Sequence, residues 1–195
     1  MAGVTIEDAA QAIEGGAMVI VPTDTVYGIA ARPEAAAAIF DVKKRPREKA
    51  LPVLGLDAAQ RAAVAELDDG ARALARKHWP GPLTLVVPRN ADFTADVGGT
   101  NDRTVAVRVP AHPVALRLLA VTGPLAVTSA NVSGEPPATT YEEACALAPE
   151  LPCLDGGRCD GMPSTVFNLV GEPRVLREGA LGEAALLASL RRTGS

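Results

Sequence analysis

Apolar positions in this chain fall into two rhythms, short unbroken runs and longer stretches with helical spacing, and the two alternate along its length. Ala17 to Val21 is a continuous apolar run closed by Pro22, the pattern of a buried strand. Leu51 to Leu56, Leu83 to Val87, Arg103 to Val109 and Leu125 to Thr128 read as strands too, and Ser164 to Val170 and Arg174 to Arg177 add two more. Helical stretches lie between them. Thr5-Ile6-Glu7-Asp8 forms a capping box with Asp in the usual Glu place, and Gly15-Gly16 stops the helix that follows. Pro33 suits the first position of a helix running to about Lys44. Asp57 caps the next helix, and Asp68 to His78 forms another, closed by Trp79-Pro80-Gly81-Pro82. His112 to Val121, Thr140 to Leu147 and Gly182 to Arg192 complete the set, while polar Asn90 to Asp102 reads as a surface loop.

Some strands follow one another with no helix between. The pattern therefore predicts an α/β protein of the α+β kind, a mixed parallel and antiparallel sheet flanked by helices rather than a pure βαβ repeat. The 195 residues show no internal repeat, linker or low-complexity block, so one domain over residues 1–195 is expected.

Composition narrows the function classes. With 48% hydrophobic but only 3% aromatic residues, the core must be built from Ala, Val, Leu and Ile. No apolar run approaches the ~20 residues of a membrane helix, and Met1 to Ile6 lacks the layout of a signal peptide. Three cysteines do not make a disulfide framework, so a reducing cytoplasm is the natural setting. A net charge of -4 argues against a nucleic-acid coat protein but leaves room for a local basic cleft.

That cleft has a candidate. Five cationic side chains fall within the seven residues Lys43-Lys44-Arg45-Pro46-Arg47-Glu48-Lys49. A solvated helix end can look like this, but clustered like charge repels itself unless an anion sits among it. In the strand from Thr104 to Val109, Val105, Val107 and Val109 share one face, and Arg108 lies on the other with Thr104 and Ala106. An arginine there is costly unless its fork meets an anion, either a buried salt-bridge partner or a bound carboxylate or phosphate. Three turns rich in hydroxyl and amide groups, Pro22 to Gly28, Val127 to Gly134 and Gly161 to Val166, supply small oxygen-holding side chains at strand ends. No P-loop and no G-x-G-x-x-G motif occurs, the two histidines are far apart, and no C-x-x-C pair suggests a metal site. His78 beside Trp79 reads as helix-end packing, and Ser129 lacks a nucleophile elbow and a histidine partner.

The ordered series P-T-D-T-V-Y-G, K-K-R-P, W-P-G-P-L-T, T-V-A-V-R-V-P, T-S-A-N-V-S-G and P-S-T-V resembles the YrdC-like family, the L-threonylcarbamoyladenylate synthases, from about Gly15 to Gly179. The resemblance implies a twisted mixed sheet enclosing a positively charged cavity. It also implies a nucleotidyltransferase reaction in which L-threonine, bicarbonate and ATP give threonylcarbamoyl-AMP and pyrophosphate, the first step of threonylcarbamoyladenosine formation at tRNA position 37. The K-x-R motif falls on Lys43 and Arg45, expected to act in catalysis, and the S-x-N motif on Ser129 and Asn131. Threonine is expected at Thr25, Arg108, Val127 and Ser164. ATP, with Mg²⁺ on its phosphates and no protein-ligated metal, is expected at Arg45, Lys49, Thr104, Ser129, Asn131 and Arg177, with Tyr27 lining the same cavity.

Two departures accompany the likeness. Longer relatives carry a histidine a few residues after K-x-R, where Leu54 stands here, and a further C-terminal domain beyond the position of Arg177. Both imply the short, single-domain form and leave open what covers a bound nucleotide. Expected partners are the downstream threonylcarbamoyl transferase proteins and tRNA. The rival readings are a related carbamoyl-adenylate former and a double-stranded RNA-binding module.

Overall fold

The computed structural model describes residues 4–132 and 134–191. Ser133 of the second hydroxyl-rich turn, Arg192 at the expected end of the last helix, and residues 1–3 lie outside the described residues. Among those described, one sheet holds β1 (Val19–Val21), β2 (Gly28–Ala31), β3 (Val53–Leu54), β4 (Leu83–Pro88), β5 (Thr104–Arg108), β6 (Leu125–Ser129), β7 (Thr165–Asn168) and β8 (Arg174–Arg177). Their spatial order is β1-β2-β6-β3-β5-β4-β7-β8. The β3–β5 and β4–β7 pairs are parallel and the other five antiparallel, so the sheet is mixed as expected.

Strand alternation sorts the side chains into two apolar layers. On one face Val19, Val21, Leu54, Leu125 and Val127 pack with α1 (Ile6–Glu14) and α5 (Pro113–Thr122). On the other Ile20, Val53, Val105, Val107, Leu83 and Leu85 pack with α2 (Ala36–Lys43), α4 (Asp69–His78), α6 (Tyr141–Leu147) and α7 (Glu183–Arg191). A short α3 (Ala58–Ala62) completes the helices. The alternation sends Thr84, Arg108, Val127 and Ser129 toward the α1/α5 side.

Local chemistry explains the boundaries. Thr5 and Asp8 form both halves of the capping box of α1, and Thr140 and Glu143 do the same for α6. Asp57 and Asp68 cap α3 and α4 through their carboxylates. Pro33 does not open an α-helix directly: Pro33–Ala35 is a 3₁₀ turn, and α2 follows it. Lys44 closes α2 in the left-handed region with φ 45°, so the chain turns sharply between Lys43 and Arg45.

Two expectations are corrected. β2 was not legible as a strand, because Gly28-Ile29-Ala30-Ala31 is too short and too weak in β-formers to stand out. The cysteines do form one disulfide, between Cys145 on α6 and Cys153, eight residues apart, leaving Cys159 free and buried. An odd count excludes a fully paired framework, not a single staple. Among the described residues no helix is long and apolar enough to cross a membrane.

Gly28 is needed where β2 meets β6. A Cβ there would lie 2.6 Å from Val127 Cγ1 and 3.0 Å from the Thr128 carbonyl oxygen. Gly28→Ala is expected to lower stability by about 1–3 kcal/mol through overpacking, read as a fall in the urea unfolding midpoint.

Candidate functional site

The turn from Pro22 to Gly28 is tied by one hydroxyl. Thr23 Oγ1 donates to the Val26 carbonyl at 2.6 Å and accepts from the Thr25 and Val26 amides at 3.2 Å each. This internal knot presents Asp24 and Thr25 to the end of β5. There Arg108 is almost wholly buried, at 5% exposure. Its Nη2 donates to Asp24 Oδ1 at 2.6 Å, its Nη1 to Thr25 Oγ1 at 3.0 Å and its Nε to the Gly81 carbonyl at 2.9 Å. Asp24 Oδ1 also accepts from the Ala111 amide at 2.9 Å. A structural ion pair and a carboxylate site were the two readings of this arginine, and the ion pair is present. It does not exhaust the fork: three of five N–H groups are engaged, and the side chain still lines a cavity.

Ser164 lies across that cavity. Its hydroxyl is 2.8 Å from Thr84 Oγ1, and Arg177 Nη2 reaches its carbonyl at 2.8 Å and its hydroxyl at 3.1 Å. On a third side the K-x-R and S-x-N motifs meet although 88 positions separate Lys43 from Asn131. Lys43 Nζ donates to Asn131 Oδ1 at 2.8 Å and to the Asn131 carbonyl, and Ser129 Oγ donates to the same Oδ1 at 2.8 Å. Arg45, turned away from the helix axis by Lys44, is held by the carbonyls of Lys49 at 2.8 Å and Ala50 at 3.0 Å.

The cavity volume is about 200 Å³. Of the residues expected at a ligand, Thr25, Tyr27, Arg45, Arg108, Val127, Ser129, Ser164 and Arg177 line it. Lys43 and Asn131 adjoin it through Ser129. Lys49 is exposed and meets Arg45 only through its carbonyl. Thr104 sits at the far end of β5, opposite Pro88, four residues or roughly 13 Å from Arg108 at ~3.3 Å per residue, and is not among the lining residues. Sequence reasoning did not assign Asp24 or Thr84. The signal for Asp24 was present, since a mid-strand arginine demands a counter-charge. Thr84 had none beyond its strand parity.

Among the described residues three guanidinium groups line the cavity, and no Asp or Glu does. Burial pushes the pKa of each down; the Arg177 charge adds to this at Arg45 and Arg108, while Asp24 acts in the opposite direction on Arg108. Arginine nevertheless stays charged at neutral pH. Burial raises the Tyr27 phenol to about 12. Its hydroxyl accepts from the Gly156 amide at 3.1 Å and donates to the Gly157 carbonyl at 2.9 Å. His78 Nε2 is buried with no hydrogen-bond partner and burial lowers its pKa, as suits a neutral ring packed at the end of α4.

A wider cleft of about 960 Å³ runs between α3, α4 and the Trp79–Pro80 corner, but it contains none of the expected site residues. The smaller cavity is the candidate because convergent polar groups, not size, define a site. Among the described residues no group of three or more His, Cys, Asp or Glu could hold a metal.

A mixed sheet with helices on both faces and three arginines lining a cavity at its strand ends define the class as an α/β protein with a polar strand-end cavity. The family model Sua5_yciO_yrdC, described as telomere recombination, matches residues 11–179, and the chain belongs to that family. A Mycobacterium tuberculosis protein provisionally named threonylcarbamoyl-AMP synthase is 42% identical over 182 residues, 89% of this chain and 83% of its own length. The Pyrococcus abyssi threonylcarbamoyl-AMP synthase is 40% identical over 185 residues, 90% of this chain and 54% of its own. The crystal structure of P. abyssi Sua5 complexed with L-threonine superposes with a TM-score of 0.88 at 36% identity, covering 94% of this chain. This chain spans only 56% of that longer protein. The E. coli YciO crystal structure, at 24% identity and TM-score 0.82, shares the fold.

Asp24→Ala would leave Arg108 buried without its counter-charge. It is expected to destabilise the protein by about 3–5 kcal/mol, and an added Arg108→Met should restore much of that loss in the same denaturation measurement.

Proposed function

We propose that this protein is a threonylcarbamoyl-AMP synthase, joining L-threonine, bicarbonate and ATP into threonylcarbamoyl-AMP and pyrophosphate. Family membership supports this reading, and one observation carries it: the residues expected at threonine (Thr25, Arg108, Ser164) and at ATP (Arg45, Ser129, Arg177) converge on a single cavity. At about 200 Å³ the cavity is smaller than the ~300–1,000 Å³ that holds a drug-sized ligand. It suits an amino acid with the end of a nucleotide, so most of the ATP extends over the side where Lys43, Asn131 and Ser129 meet.

In this reading the free N–H groups of Arg108 take the threonine carboxylate, and Thr25 and Ser164 bind beside it. The amine takes up bicarbonate, R-NH₂ + HCO₃⁻ giving R-NH-COO⁻ + H₂O, and the new carboxylate attacks the α-phosphorus of ATP with loss of pyrophosphate. Lys43, Arg45 and Arg177 offset the charge that develops, through positioning and electrostatics rather than a dedicated base. Mg²⁺ enters with its nucleotide as part of the substrate. The product serves tRNA modification through separate transferase proteins. In this reading the reaction runs in the cytoplasm, a setting in which the Cys145–Cys153 bond is unusual. No feature of the site favours the duplex-RNA reading.

Pyrophosphate release from ATP and bicarbonate is expected to require threonine, and release indifferent to the amino acid would remove the assignment. Arg108→Ala should weaken threonine binding at least ~30-fold, for loss of about 2–5 kcal/mol, with no comparable change for ATP. Equal loss of both would contradict the division of roles.

A further inference from the structure

We propose that the cavity binds threonine with its α-amine neutral, because the acid-free guanidinium groups of Arg45 and Arg177 drive the ammonium proton into bulk water on binding. The inference rests on the reading that this cavity takes threonine. It explains how the amine becomes a nucleophile where no general base is in place.

The groups that face the cavity come from every element around it. Arg45 enters from the turn after α2, Arg108 from β5 and Arg177 from β8. Tyr27, with its phenol raised to about 12, is neutral at pH 7. Thr25, Thr84, Ser129 and Ser164 offer hydroxyls only, and among the described residues no Asp, Glu or His lines the volume. The nearest carboxylate, Asp24, is bound to Arg108 Nη2 and the Ala111 amide and is not part of the lining. Arg45 is held by carbonyls alone, and Arg177 by the Ser164 carbonyl and hydroxyl. Neither makes a salt bridge among the described residues.

A threonine entering as a zwitterion would bring a carboxylate that Arg108 accepts and an ammonium that becomes a further cation beside two uncompensated ones. Charges at ~4–6 Å move a pKa by about 1–3 units, here downward for the amine. The balanced step is ⁺H₃N-CHR-COO⁻ giving bound H₂N-CHR-COO⁻ plus H⁺ in solvent. The lone pair left on nitrogen then attacks carbon dioxide or bicarbonate. An α-ammonium is mostly protonated at pH 7 in water, so proton release on binding is a direct signature.

Threonine is titrated calorimetrically into the full chain at pH 7 in buffers of different ionisation enthalpy, without nucleotide. The expected result is release of about 0.5–0.9 proton per threonine bound, which is what an amine pKa lowered by ~1–3 units from ~7.7–8.0 gives at pH 7. Arg177→Gln should reduce that number and Arg177→Lys should retain it. Should the glutamine variant not fold, the ¹⁵N shift of labelled threonine on the unaltered protein reads the same protonation state. Threonine that binds with heat independent of buffer enters as a zwitterion, which overturns the inference and leaves the substrate reading intact. Absence of any threonine binding overturns both.

Discussion

The buried pair of Asp24 and Arg108 is the constraint on which the site depends. Two charged side chains, 13% and 7% exposed, are held at 2.6 Å where water screens them little. Removing such groups from water is costly, and the geometry must be close to ideal to offset it. The structure meets that demand with the Thr23 knot, the Gly81 carbonyl and the Ala111 amide, each fixing one partner from a different element. The guanidinium is thereby set in one plane with two N–H groups left over. The same contacts that make the pair tolerable hold the side chain at the lining of the cavity.

The cavity's charge follows from where the acids are not. The chain as a whole carries -4, yet three arginines share one volume, and Asp24, the carboxylate bonded to Arg108, is not part of its lining. Glycine and small hydroxyl residues at the strand ends allow backbone and guanidinium groups to approach without bulk. The left-handed turn at Lys44 matters for the same reason, since it lets Arg45 leave the line of α2 while Lys43 stays on it. A charge-rich run in the sequence becomes a divided set: Lys43 reaches Asn131, Arg45 faces the cavity, and Arg47 pairs with Asp96 at the surface.

Much of this could be read from the residues, for identifiable reasons. Capping at Thr5, Asp57, Asp68 and Thr140 is a local event, and local chemistry marked those helix starts correctly. The period of two in β5 singled out Arg108 and its face. β2 and the Asp24 partnership were not legible because both are non-local: β2 is a strand by virtue of β1 and β6 on either side, and Asp24 meets Arg108 across 84 positions. Thr104 shares the strand parity of Arg108 but lies at the other end of β5, outside the small cavity. The Cys145–Cys153 bond escaped a reading based on count, because spacing alone does not reveal pairing.

The central claim is that the amino acid binds in the small cavity rather than in the wider cleft beside Trp79. Side-chain-resolved NMR during a threonine titration separates them most directly. Shifts are expected at Arg108 Nε–H and at the Thr25 and Ser164 amides, with the Trp79 indole and Arg61 Nε–H signals unmoved. Movement of the Trp79 and Arg61 signals with Arg108 silent would contradict it.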